Sequence, residues 1–225
     1  MAFIELKEVE KIFHAGDEEY AALKGISLGI DSGEFVAVMG PSGSGKSTLL
    51  SIVGGLSHPT SGVITVDGID LGGLGQNKLS DFRREYLGFV FQSFYLVPYL
   101  TAIENVMLPL TVQRGLNGTA RVKALEVLER VGLEKKAGRL PSQLSGGEQE
   151  RVAIARAIVN SPALILADEP TGNLDTKTGN KVLEMLEGLH AEGHTIVMVT
   201  HSEENAKKAG RTIEIRDGEV LREDS

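Results

Sequence analysis

Cysteine is absent from the chain, which excludes a disulfide framework, a thiolate metal site and a cysteine nucleophile and suits a reducing compartment. Basic residues are in the minority. Lys and Arg number 23 against 31 Asp and Glu, a formal charge of -8, so no general electrostatic pull toward nucleic acid or anionic lipid follows. Long apolar runs are missing too. The longest weakly charged stretch, Leu87 to Ile103, contains Gln92, Ser93, Pro98 and Thr101 and is too short and polar to cross a bilayer. The opening MAFIELKEVEK alternates like a strand and lacks the apolar core of a signal peptide. Repeats, low-complexity tracts and long charge blocks are likewise absent. The expectation is a soluble, intracellular protein. A hydrophobic content of 41% over 225 residues is enough to bury a substantial core.

Two kinds of strand signal are present. FIELKEV (Phe3 to Val9), SLGI, VITVDGIDL and IEIRDGEVL alternate apolar and polar residues, and the Asp67-Gly68 and Asp217-Gly218 pairs mark hairpin turns. They predict antiparallel sheet at both ends of the chain. FVAVM (Phe35 to Met39), ALILA (Ala163 to Ala167) and TIVMVT (Thr195 to Thr200) are instead continuous apolar runs, the pattern of strands buried on both faces of a parallel sheet. Each leads into a polar loop and a helix-like segment, so ligand chemistry is expected at the carboxyl ends of those strands. An insert from about Ser93 to Asn160 is richer in helix, and GTARVKALEVLERVGL places Val122, Leu125, Leu128 and Val131 on one face. Gly72 to Gly75 and Gly115 to Gly118 read as surface loops.

The segment VAVMGPSGSGKSTLL runs from a buried strand through Gly40-x-x-x-x-Gly45-Lys46-Ser47 into an apolar helix. Its glycines let backbone N–H groups curl around phosphate, Lys46 can reach terminal phosphates, and Ser47 can ligate Mg²⁺. In LILADEPT, Asp168 and Glu169 leave the sheet where one acid can hold Mg²⁺ and the next can take a proton from attacking water. Gln92 and His201 each follow a strand-like run, placed either to touch the ligand or to serve as ordinary loop residues. Asn173 to Thr176 (NLDT) reads as a helix cap. His14, His58, His190 and His194 lack such a setting and read as surface or packing residues. LSGGE, Leu144 to Glu148, puts a serine and two glycines at the mouth of a second helix, another natural anion site.

Taken together and in this order, these residues resemble the ATP-binding subunits of ABC transporters over essentially the whole chain. The resemblance implies a P-loop NTPase fold of ABC ATPase type: α/β, with a mixed sheet core, an antiparallel β subdomain and a helical subdomain. A single domain over 1–225 would combine a catalytic core with its β subdomain (1–92 and 161–225) and a helical subdomain (93–160). Gly40 to Thr48 is similar to Walker A, with Gly40, Ser42, Gly43, Ser44, Gly45, Lys46, Ser47 and Thr48 around the phosphates of ATP. Gln92 resembles the Q-loop glutamine, Leu164 to Asp168 the Walker B strand, Glu169 the catalytic base, Asn173 to Asp175 the D-loop and His201 the switch histidine. Mg²⁺ would lie among Ser47, Gln92 and Asp168. In the family, the signature helix of one subunit caps the γ-phosphate held by the other. Ser145, Gly146 and Gly147 would thus serve the ATP of a second copy, and the partner implied is the chain itself.

Further likeness in GFVFQSFYLVPYLTAIENVMLPL and ADEPTGNLDTKTG points to the branch containing the macrolide exporter MacB, the lipoprotein-release subunit LolD and the cell-division protein FtsE. That branch implies a membrane permease on another polypeptide, docking near Phe94 to Leu100 at the inner face of the membrane. Phe94, Tyr95 and Tyr99 read either as docking residues or as core aromatics. An early aromatic stacks on adenine in this branch; by alignment it is Phe13, with Tyr20 as competitor. No nucleic-acid partner is expected, and the alternatives are a regulatory module of FtsE type or a soluble ABC ATPase acting on nucleic acid.

Overall fold

A computed structural model of the chain describes residues 2–16, 18–111 and 119–224. In chain order, β1 (Ile4–Ala15), β2 (Glu18–Ile30) and β3 (Phe35–Met39) precede α1 (Lys46–Val53), β4 (Ser61–Val66), β5 (Ile69–Asp70), α2 (Gln76–Tyr86) and β6 (Leu87–Phe91). Three helices come next, α3 (Ala102–Thr111), α4 (Ala120–Arg130) and α5 (Gly146–Ile158). The chain closes with β7 (Leu164–Asp168), α6 (Thr176–Ala191), β8 (Thr195–Val199), α7 (Glu203–Ala206), β9 (Arg211–Arg216) and β10 (Glu219–Asp224).

The continuous apolar runs build the centre of a six-stranded sheet in the order β10-β9-β3-β8-β7-β6. Neighbours from β9 to β6 are parallel and β10 alone is antiparallel. The period of two explains why these strands show no polar face. Phe35, Ala37, Ile165, Ala167, Ile196 and Met198 pack into one core with α3 to α6. Val36, Val38, Leu164, Leu166, Val197 and Val199 pack into a second core with α1, α2 and the other sheet. Removing each such large side chain from water contributes about 1.5–3 kcal/mol. The second sheet, β2-β1-β4-β5, is antiparallel throughout.

Three expectations need correction. The carboxyl-terminal hairpin does not make an antiparallel sheet of its own, because β9 pairs parallel to β3 and adds the hairpin to the mixed sheet. The first hairpin is longer than FIELKEV and SLGI indicate: the outer halves of β1 and β2 are largely exposed and carry no apolar alternation to read. The buried face of α4 is Ala124, Val127 and Leu128, continued by Val131 at its C-cap in the i, i+3, i+4, i+7 spacing, while Val122 is exposed. Gly72 to Gly75 form a loop before α2, whereas Gly115 to Gly118 lie outside the described residues.

Candidate functional site

The carboxyl ends of β3, β8, β7 and β6 lie side by side, and residues at or just past each strand end line one cavity of about 430 Å³. Its walls are Ser42 to Thr48 after β3, His201 after β8, Asp168 and Glu169 at β7, and Gln92 after β6; Phe13 and Tyr20 close it from the antiparallel sheet. Ala22 and Val199 complete the lining.

Gly40 opens the loop at φ 149, and a Cβ there would stand 2.0 Å from the Ile215 carbonyl oxygen. Gly45, at φ 104, would meet the Ala22 carbonyl oxygen at 2.4 Å. No other residue fits either position, so the spacing read as a phosphate loop is also a packing requirement. α1 begins at Lys46, so the loop delivers its backbone N–H groups at a helix N-terminus, where anions are favoured. Ser44 Oγ is buried without a hydrogen-bond partner, and an incoming phosphate oxygen would supply one.

Lys46 is itself nearly buried, and its ammonium donates to the carbonyls of Gly40 and Pro41, both at 2.8 Å. Burial lowers its pKa, and the charges of Glu169 and Asp168 partly restore it. Ser47 Oγ donates to Asp168 Oδ1 at 3.2 Å. Burial raises the Asp168 pKa, as does the neighbouring Glu169, while the Ser47 hydrogen bond and Lys46 oppose the rise. Ser47, Asp168 and Gln92 all line this cavity, and a hydroxyl, a carboxylate and an amide carbonyl are groups that would suit Mg²⁺. Among the described residues, no cluster of three His, Cys, Asp or Glu residues is placed to hold a metal ion unaided.

Glu169 sits at φ 48, a strained backbone for a residue with a side chain. The His201 Nδ1–H donates to Glu169 Oε1 at 2.8 Å; since a carboxylate only accepts, this tautomer is the one that fits. The strained turn leads through Gly172 to Asn173, whose side-chain amide donates to the Gln92 carbonyl at 2.8 Å.

Phe13 and Tyr20 are cross-strand partners on β1 and β2. They are not equivalent. The Tyr20 hydroxyl donates to the Gly43 carbonyl at 2.9 Å, while the Lys11 ammonium stands 5.1 Å from the Phe13 ring centroid.

Ser145, Gly146, Gly147 and Asp175 do not line this cavity. Ser145 caps α5, where the Glu148 carboxylate accepts from its N–H at 3.0 Å and also pairs with Lys136. That pairing, first, and the Ser145 N–H hold the Glu148 carboxyl below its ordinary range. Asp175 caps α6, accepting from the Thr178 N–H and hydroxyl at 3.1 and 2.6 Å, and both bonds hold its carboxyl low. Two residues that no motif announced shape the segment after Gln92. The Arg156 guanidinium on α5 donates to the carbonyls of Phe94 and Tyr95, both at 2.6 Å, and these two residues have φ 57 and 43. The buried Asn105 side chain bonds the backbone of Val97, Leu100 and Thr101. Both links span distances along the chain or loop geometry that spacing cannot reveal.

A strand-end cavity with a glycine loop, a lysine, paired acids, a glutamine and a histidine defines a P-loop ATPase site, and a capped serine-glycine turn on a separate helix is the mark of one class of them. The ABC transporter family model matches residues 23–172, and the chain belongs to that family as an ATP-binding cassette. It is 50% identical over 216 residues to the uncharacterized ABC transporter ATP-binding protein YvrO of Bacillus subtilis, covering 96% of this chain and 94% of that one. Against the macrolide export ATP-binding/permease protein MacB of Shigella flexneri, identity is 49% over 220 residues, covering 97% of this chain but only 34% of MacB. The dimeric, post-hydrolysis structure of the ATP-binding cassette MJ0796 with ADP and Pi superposes with a TM-score of 0.93 at 48% identity, covering 99% of this chain and 98% of that one. MJ0796 is a protein of Methanocaldococcus jannaschii. The α/β ABC ATPase fold and the kinship with MacB expected from the sequence both hold. Among the described residues, no helix is long and apolar enough to cross a membrane.

Proposed function

We propose that two copies of this ABC ATPase pack head to tail around two ATP molecules and use closure and reopening of the pair to drive a separate membrane subunit. The observation that carries this reading is the one cavity joining Ser42 to Thr48, Asp168, Glu169, Gln92 and His201 while leaving Ser145 to Gly147 outside it. A signature turn that cannot serve its own cavity is free to serve that of a second copy.

In this reading the backbone of Ser42 to Ser47 and the Lys46 ammonium hold the phosphates, which replace the Gly40 and Pro41 carbonyls as acceptors for Lys46. Ser47, Asp168 and Gln92 would hold Mg²⁺, which would supply positive charge beside the phosphates. Glu169 accepts the proton of the attacking water. His201 aims the base: its Nδ1–H orients the Glu169 carboxylate, whose other oxygen receives the proton of the attacking water, and the ring stands beside the terminal phosphate. Ser145 and Gly147 of the second copy, with its Asp175, complete each site. Contacts that ADP lacks then favour the closed pair only before phosphate leaves.

The docking segment is Phe94 to Leu100, shaped by Arg156 and Asn105, with Tyr95 65% and Tyr99 79% exposed. Residues 93–160 act as the helical subdomain that carries this segment and the signature turn. The partner is an integral membrane subunit, the location is the cytoplasmic side of a cell membrane, and the output is export, lipoprotein release or mechanotransmission.

ATP-loaded Glu169→Gln protein, incubated with membranes of its own cell, tests the reading. Recovery of an integral membrane protein with few helices and a large outer domain, bound to a dimer of this chain, is expected. A trapped dimer that brings down only ribosomal or DNA-associated proteins would remove the transport role and leave the ATPase role standing.

A further inference from the structure

The signature turn and the turn that caps α6 meet at one side chain. A Cβ placed on the buried Gly147 would lie 2.1 Å from Thr178 Cγ2 and 3.4 Å from Thr178 Cβ. That is far inside any tolerated carbon contact, so the methyl group of Thr178 occupies the space a side chain at Gly147 would need. The same residue reaches the other way: its hydroxyl donates to Asp175 Oδ2 at 2.6 Å and its N–H to Asp175 Oδ1 at 3.1 Å. A Cβ at Gly146 would stand 3.8 Å from Leu174 Cδ2, so the capping turn packs on the signature turn at a second point. From Asp175 the connection continues two residues back to Asn173, which donates to the Gln92 carbonyl.

We propose that Thr178 is a positioning residue that locks the Ser145 to Gly147 turn to the Asp175 turn, so that both present themselves to the second copy as one rigid edge. Gly147 lacks a side chain because Thr178 fills its place, whatever lies across the dimer. The two halves of Thr178 have separable tasks: the methyl sets the distance of the signature turn, and the hydroxyl fixes the capping turn. The inference rests on the head-to-tail reading only for its functional consequence; the contact itself lies within one copy.

Three variants separate these tasks, read by unfolding midpoint without nucleotide, by kcat and KM for ATP, and by the ATP-dependent dimer in a Glu169→Gln background. Gly147→Ala lowers the midpoint and reduces kcat about tenfold or more, because sub-ångström to ångström displacement of a positioning element is costly. Adding Thr178→Ser, which removes only the methyl, restores the midpoint and returns kcat to within about threefold of the parent, the coupling expected of two groups in contact. Thr178→Val, which keeps the branched shape and loses the hydroxyl, lowers kcat and the dimer fraction about threefold or more with KM for ATP little changed, since the bond lost lies outside the cavity of its own copy, where the Gly40 to Thr48 loop binds ATP. Failure of Thr178→Ser to rescue Gly147→Ala in either stability or turnover would overturn the proposal, assigning Gly147 to the ligand across the dimer. Normal kcat in Thr178→Val would reduce Thr178 to a space filler, which also overturns it. Absence of any ATP-dependent dimer in Glu169→Gln with the stability rescue intact would sink the head-to-tail reading and leave the Gly147 to Thr178 contact standing.

Discussion

Glu169 Oε1 and His201 Nδ1 stand 2.8 Å apart, on two turns that leave adjacent parallel strands, so the proposed proton acceptor and the group proposed to aim it are fixed by the sheet itself. The Glu169 N–H donates to the Val199 carbonyl at 3.0 Å, which ties the strained Glu169 backbone to the strand that ends before His201. Replacing the acceptor should therefore remove chemistry without removing binding. Glu169→Gln is expected to release phosphate about 100-fold more slowly, the ordinary worth of a general base, while binding ATP with unchanged affinity. Steady-state phosphate release beside equilibrium ATP binding checks this, and unslowed release would take Glu169 out of its role.

Phe13 is expected to be the adenine platform rather than Tyr20. Lys11 covers one face of the Phe13 ring, and the Tyr20 hydroxyl is engaged by Gly43 in the phosphate loop. Loss of an aromatic stack is worth roughly 0.5–1.5 kcal/mol, so Phe13→Ala should weaken ATP about three- to tenfold with kcat little changed. Tyr20→Phe keeps a ring and loses the bond to Gly43; a larger loss of affinity there than in Phe13→Ala would reverse the assignment.

Legibility in the sequence depended on whether the constraint was local. Phe35 to Met39 and Thr195 to Val199 were legible because burial on both faces leaves an unbroken apolar run. Gly40 and Gly45 were legible because close backbone approach demands residues without a side chain at that spacing. The outer half of the β1/β2 hairpin was not, because exposed strand leaves no hydrophobic alternation. Val122 was misplaced because several faces of a short amphipathic helix fit the same residues, and the neighbours that choose among them lie elsewhere in the chain. Arg156 and Thr178 act through contacts with loops 61 and 31 residues away, across the fold, so no local pattern marks them.

Metal dependence should follow the Ser47 and Asp168 pair. Chelation with EDTA should abolish turnover and added Mg²⁺ should restore it, the behaviour of a cation held chiefly by phosphate and one carboxylate. Asp168→Asn, which keeps the shape and removes the charge, should raise the Mg²⁺ concentration for half-maximal activity about tenfold or more. A titration of activity against Mg²⁺ reads both, and an unshifted curve would put the metal elsewhere.

Glu150 is expected to contribute a pH-dependent part of the stability. It is fully buried, both carboxylate oxygens lack a hydrogen-bond partner, and burial pushes its pKa up to about 8 although the nearby Arg156 opposes the rise. With the folded value above the ordinary 4.5, the folded state holds this proton more tightly than the unfolded chain does. That stabilisation is complete below about pH 4.5 and is lost as pH rises toward about 8. Glu150→Gln should match the parent at the acid end of this window and exceed it on the alkaline side, by an unfolding free energy on the order of 5 kcal/mol. Denaturant unfolding at the two pH values is the measurement; parallel curves for both proteins would contradict it.

The central claim is that each ATP is sandwiched between Lys46 of one copy and Ser145 of the other, and mixing two inactive proteins tests it most directly. Lys46→Ala disables the loop and Ser145→Arg the signature turn, so each homodimer has two broken sites. A mixed dimer holds one site with an intact Lys46 and an intact Ser145, and one with neither. Equal mixing should thus restore about one quarter of parental ATPase activity, since half the dimers carry one good site of two. Activity no greater than the sum of the two separate variants would mean that each copy completes its own site, and the head-to-tail account would fail.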